Sequence, residues 1–122
     1  MKTVVLGATT NPERYAYEAV KRLVKHGHEV IPVGIRQGKT ACDLDILNGT
    51  PAIQDVHTVT LYISPDVQEE YYDYILNVLK PKRIIFNPGT ENPDFAVLIH
   101  GADYPIEIEV ACTLVMLSLD QY

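Results

Sequence analysis

Short apolar runs alternate with amphipathic ones along the whole chain. Residues 4–6 (Val4, Val5, Leu6) form a β-rich run that breaks at Gly7. Ala16, Ala19, Val20, Leu23 and Val24 then recur at helical spacing, with Glu18, Lys21, Arg22 and Lys25 on the opposite face. His26-Gly27 closes that helix, because glycine readily takes the left-handed conformation past a helix end. Residues 29–33 predict a second strand, 58–63 a third ended by Ser64-Pro65, and 83–86 a fourth followed by Asn87-Pro88-Gly89-Thr90. Between the last two, Val67, Tyr71, Tyr74, Ile75, Val78 and Leu79 make one helical stripe stopped by Pro81. A short helix over 93–100 and a fifth strand over 104–107 come next. Residues 112–119 are apolar on nearly every face, which predicts a helix that is buried or forms an interface. Residues 34–57 are turn-rich (Gly34, Gly38, Asn48-Gly49, Pro51), and so long a connection in a compact domain tends to carry function.

Strands alternating with helices predict an α/β, single-domain, Rossmann-like fold: a parallel sheet of about five strands with helices on both faces. Right-handed crossovers suggest the strand order 3-2-1-4-5. Ligands of such sheets bind beyond the carboxyl ends of the strands, so residues 7–14, 32–39, 63–65 and 87–91 are expected around one crevice.

At 122 residues the chain is the size of one domain, covering 1–122. No apolar run approaches the roughly 20 residues of a membrane span. The first residues lead straight into a strand, so no signal peptide and a cytoplasmic location are expected. The net charge of −6 argues against nucleic acid and anionic membranes as partners. That charge is unevenly spread. Residues 1–39 hold seven basic and three acidic side chains, whereas residues 40–122 hold three basic and thirteen acidic ones. Lys21, Arg22 and Lys25 belong to a solvated helix face. Arg14, Arg36 and Lys39 fall in or beside loops that follow strands.

The strand–turn–helix unit of residues 4–14 aims backbone N–H groups and a helix dipole at one spot, which suits a phosphate. The dinucleotide spacing G-x-G-x-x-G is absent, since Ala8, Thr9, Thr10, Asn11 and Pro12 follow Gly7. No carboxylate stands near the end of the second strand to hold a ribose diol. Arg36 stands there instead and suits an extra ribose phosphate, as in NADP or coenzyme A. Thr9 and Thr10 are candidates for ligand contact, for helix capping, or for both, while Asn11-Pro12 reads as a helix start.

The chain resembles the small CoA-binding protein family, relatives of the CoA-binding domain of the succinyl-CoA synthetase alpha subunit. The resemblance rests on V-V-L-G-A-T-T-N-P-E-R-Y-A-Y at 4–17, V-I-P-V-G at 30–34, Gly38-Lys39, I-S-P at 63–65, N-P-G at 87–89 and E-V-A-C-T-L-V-M-L at 109–117. It implies that Gly7, Ala8, Thr9 and Thr10 contact the CoA phosphates with Arg14 nearby. It further implies that Val33, Arg36 and Lys39 meet the adenosine 3′-phosphate end, and that Ile63, Ser64 and Pro65 line the adenine or pantetheine path. The chain departs from the family pattern after Pro32-Val33, where Gly34-Ile35 replaces the usual N-P or S-P pair.

Other arrangements carry little chemistry. Tyr17 and Lys21 reproduce a dehydrogenase spacing on the wrong helix. Tyr71, Tyr72 and Tyr74 read as packing and surface residues. His26, His28, His57 and His100 show no metal-ligand spacing. Cys112, at the position of the family's C-terminal cysteine and before a helix start, is a buried hydrophobe or a reactive thiol. No histidine or second carboxylate partners Glu91, Glu107 or Glu109. The expectation is therefore non-catalytic binding of coenzyme A or an acyl-CoA. The alternatives are an NADP-binding oxidoreductase or redox sensor, and an interaction module that has lost its ligand. The apolar tail offers a homodimer face.

Overall fold

The computed structural model describes residues 1–122. Runs of β-branched and apolar side chains form five strands: β1 (Thr3–Leu6), β2 (Val30–Val33), β3 (Thr58–Leu61), β4 (Arg83–Phe86) and β5 (Glu107–Val110). All pairings are parallel, and the order across the sheet is β2-β1-β3-β4-β5. Alternate side chains feed opposite layers. Val4, Leu6, Val59, Leu61, Ile84 and Phe86 meet Tyr74, Ile75, Leu79, Phe95 and Ile99 on one side. Val5 and Val30 meet Val20, Leu23, Ala41 and Leu117 on the other. The first layer comprises α2 (Pro65–Gln68) with the turns after it and α3 (Pro93–His100). The second comprises α1 (Tyr15–Lys25) and α4 (Thr113–Ser118). No helix is long and apolar enough to cross a membrane.

The α/β layering and the parallel sheet agree with the sequence reading, but the strand order 3-2-1-4-5 does not. β3 lies against β1, not outside β2. The connection after β2 explains this. Leu47 pairs beside Val33 in parallel and takes up the open edge of β2. The chain then returns so that the His57 and Thr58 N–H groups reach the Lys2 carbonyl, at 2.9 and 3.2 Å. β3, buried at every residue, thereby gains a neighbour on each side.

Two further elements differ from expectation. β5 begins at Glu107, in register with Arg83, so residues 104–106 are the turn before it, where the Tyr104 hydroxyl donates to the Leu76 carbonyl. The stripe from Val67 to Leu79 is not one helix. It breaks into α2, a 3₁₀ turn (Glu69–Tyr71) and a π-helical turn (Tyr74–Leu79) that ends at left-handed Lys80. The break lets Gln68 point inward with Ile75 and Leu79 while Val67 stays exposed. The C-terminal helix buries Thr113, Met116 and Leu117 and leaves Val115 and Leu119 outside.

Candidate ligand-binding site

In the order 2-1-3-4-5 the connections diverge between β1 and β3, and sheets of this kind bind ligands beyond the carboxyl ends of the strands at that point. Gly7 ends β1 with φ +102, a conformation only glycine adopts freely. A Cβ there would lie 2.9 Å from both Ile63 Cγ2 and the Tyr62 carbonyl oxygen, so the β1 and β3 loops touch at this point. On the other flank a Cβ at Gly34 would lie 2.6 Å from the Ala8 carbonyl oxygen, and one at Gly38 would lie 3.3 Å from Thr10 Cγ2. The β2 loop thus lies against the β1 loop at Gly34 and Gly38. Gly7, Ala8, Thr9 and Thr10 lie on the β1 loop, Arg36 on the β2 loop and Ile63 on the β3 loop, with Ser64 and Pro65 at the start of α2, whereas Val33 is fully buried at the end of β2.

The N–H groups here fall into two sets, bonded and unbonded. Those of Gly7 and Ala8 both donate to the Val33 carbonyl, at 2.8 and 3.0 Å, and tie β1 to β2. They are not free for a ligand. Those of Thr9 and Thr10 have no partner within the chain, nor do those of Tyr15 and Ala16 at the start of α1. Helix α1 begins at Tyr15 and not at Asn11-Pro12, because residues 11–14 form a separate turn closed by the Arg14 N–H on the Asn11 carbonyl at 3.2 Å. Thr9 and Thr10 do not cap α1. Thr9 Oγ1 accepts from the Asn11 N–H at 3.2 Å, and Arg14 occupies the N-cap position without a side-chain bond.

The basic residues separate in the same way. Arg14 and Arg36 form no ion pair, and both are exposed. Lys39 is turned onto Asp45, at 2.8 Å. Two large apolar side chains that no periodicity singles out are also exposed here: Tyr15 and Ile35, at 76% and 81%, follow Arg14 and precede Arg36 respectively.

Behind the loops lies a buried amide network. Gln68, fully buried, donates to the Ile63 carbonyl at 2.9 Å and the Thr90 carbonyl at 2.7 Å, and accepts from Asn92 at 3.0 Å. Asn87 donates to Thr60 Oγ1 and the Leu61 carbonyl and accepts the Thr113 N–H at 2.9 Å. These side chains fix the β3 loop, the β4 loop and the start of α4 relative to one another. Cys112 is half-buried just before α4. Burial pushes the Tyr62 phenol well above its ordinary pKa, so Tyr62 stays neutral behind the loops. Two surface hollows, about 440 and 450 Å³ in volume, lie at the opposite, amino-terminal edge of the sheet. They contain none of the residues just described.

Residues 1–118 match the CoA binding domain family. A crystal structure of an uncharacterized protein is 50% identical, with a TM-score of 0.93 over 99% of this chain and 97% of that one. A hypothetical protein from Pyrococcus horikoshii OT3 is 23% identical, with a TM-score of 0.79 over 97% of this chain and 82% of that one. A conserved hypothetical protein from Pyrococcus furiosus is 23% identical, with a TM-score of 0.79 over 93% and 97%. These last two share the fold. No curated protein matches the chain. With a parallel α/β sheet whose β1 loop touches the β2 and β3 loops, and with the family match running through almost every residue, the chain belongs to the CoA binding domain family.

Proposed function

We propose that the chain binds coenzyme A or an acyl-CoA without acting on it. The observation that carries this reading is the junction of the β1 and β2 loops. There the unpartnered N–H groups of Thr9 and Thr10 lie on the same loop as Arg14, which joins the β2 loop bearing Arg36. Phosphates suit such a cradle, since free N–H groups and unpaired cations both favour anionic oxygens. Tyr15 and Ile35 supply apolar surface for an adenine or a pantetheine arm, and Ile63, Ser64 and Pro65 form the far wall. No catalytic group is needed for this role. Two free thiols, Cys42 and Cys112, fit a reducing cytoplasm. As protein partner we propose a second copy of the chain, packed through the open side of α4.

Thermal unfolding with CoA, acetyl-CoA, NADP and NAD tests the reading. CoA at a hundredfold excess over its Kd adds about 2.7 kcal/mol, a rise in Tm of roughly 10 °C for a chain of this size. NAD should give no rise. A rise with NADP and none with either CoA species would overturn the reading.

A further inference from the structure

Two cations follow β2, and the structure treats them differently. Lys39 Nζ donates to the Asp45 carboxylate at 2.8 Å and to the Asp43 carbonyl at 3.3 Å, with the Asp43 carboxylate 3.9 Å away. A tight turn brings these acids round: Cys42 and Asp43 are both left-handed, at φ 58° and 60°, and Lys39 pairs with Asp45 across it. The hydrogen bond to Asp45, helped by the charge of Asp43, holds the Lys39 ammonium above its ordinary pKa. Its charge is satisfied locally.

Arg36 has no carboxylate partner, and its backbone is fixed from another direction. The Leu47 N–H donates to the Pro32 carbonyl at 2.9 Å, and the Leu47 carbonyl accepts the Gly34 N–H at 3.0 Å. This short ladder carries Asn48 to the carboxyl end of β2. There the Asn48 side-chain amide donates to the Gly34 carbonyl at 2.8 Å and to the Arg36 carbonyl at 2.9 Å. One NH₂ group has two donors, and both are used on carbonyls that bracket Ile35. The amide therefore sets the direction in which Arg36 leaves the backbone. Gly34, held against Ala8, anchors the other end of the same loop.

On the CoA reading above, we infer that Asn48 is a positioning residue that holds Arg36 for the ribose phosphate of the ligand, and that Lys39 takes no part in that selection. The feature selected is a phosphate monoester on the ribose. A ligand with the same pyrophosphate and base but a free ribose hydroxyl loses the Arg36 contact alone. The preference for the phosphorylated form then measures this contact, and a charge-assisted hydrogen bond to a phosphate corresponds to about tenfold in affinity.

The test is calorimetric titration of the whole chain with CoA and with CoA lacking its 3′-phosphate. The wild-type protein should prefer CoA by about tenfold. Arg36→Ala and Asn48→Ala should both bring that preference close to one. Asn48→Asp keeps the shape but removes the donors, so it should behave like Asn48→Ala and not like the wild type. Lys39→Ala should keep the preference. A preference that survives both Asn48 variants, or that disappears in Lys39→Ala, would overturn this inference while leaving CoA binding intact. A wild-type protein that binds neither form defeats the reading beneath it, and this inference with it.

Discussion

At Gly34 the absent side chain matters because of what occupies its place. A Cβ there would stand 2.6 Å from the Ala8 carbonyl oxygen, a distance that forces backbone apart. Gly34→Ala should therefore cost about 1–3 kcal/mol of stability, in line with other overpacked sites. It should also weaken CoA binding, because it separates the loop of Arg36 from the loop of Thr9. Urea unfolding and titration of the same variant check both effects, and a variant of wild-type stability that binds normally would show that the loops are not in contact in solution. Gly7 was legible in the sequence as the break after an apolar run. Gly34 was not, since its contact is with a residue on another strand's loop. Lys39 shows the converse: its position after β2 resembles that of a ligand contact, yet the acids that hold it, Asp43 and Asp45, stand only a few residues further along. Acids four and six residues along take up the lysine's charge. For Asn48 no periodic signal exists, and only the ladder of Leu47 on β2 shows what its amide reaches.

Among the elements, β2 held a signal that decides the strand order. Pro32 lacks an N–H, and proline is confined to edge strands or bulges. In the order 3-2-1-4-5, β2 would be flanked on both sides. In the order found it lies at the edge, where the Pro32 carbonyl accepts from Leu47 and no N–H is missed. The short apolar runs located β1, β3 and β4 well because strands buried on both faces are nearly continuous in hydrophobicity. β5, half-exposed at the other edge, lacks that signature, and its start was misplaced. Helix α4 was legible as apolar but not as two-sided. Met116 and Leu117 face inward, Leu117 joining Val20 and Leu23 of α1, whereas Val115 and Leu119 are 52% and 60% exposed. If a second copy covers that open side, Val115→Asp should convert a dimer into a monomer in sedimentation velocity. The same change should move the stability of the isolated chain by no more than about 0.5 kcal/mol, as is usual for a surface site. A wild-type protein that sediments as a monomer at high concentration removes the dimer.

Across the whole molecule the two edges of the sheet differ in chemistry. The carboxyl edge carries the crevice. The amino edge gathers His28, His57 and Arg83 under the chain's last residue, Tyr122. The Arg83 guanidinium is buried 4.4 Å from the Tyr122 ring centroid, with Nε donating to Thr58 Oγ1 at 3.0 Å. The His28 ring lies 4.7 Å from that of Tyr122, and His57 Nδ1 is 2.8 Å from Thr58 Oγ1. Burial lowers the pKa of His28, followed by the charges of the amino terminus, His26 and Arg83. Burial, then Arg83 and Lys82, lowers that of His57 against a weaker opposing pull from Glu107. The sign of the effect on stability follows. In the unfolded chain both imidazoles titrate near their ordinary value of about 6.5. As pH falls through that value the unfolded state takes up protons that the folded state refuses, so stability complete above about pH 7 declines toward the lower folded pKa values. Tm should fall between pH 7.5 and pH 5.5, above the range in which most carboxylates titrate, and it should fall less in a His28→Gln, His57→Gln double variant. Because the crevice lies at the other edge, CoA affinity should change far less than Tm over the same interval. An equal loss of Tm in the double variant would place the acid-sensitive groups elsewhere. A flat Tm in the wild type would mean that neither histidine is held neutral by the fold.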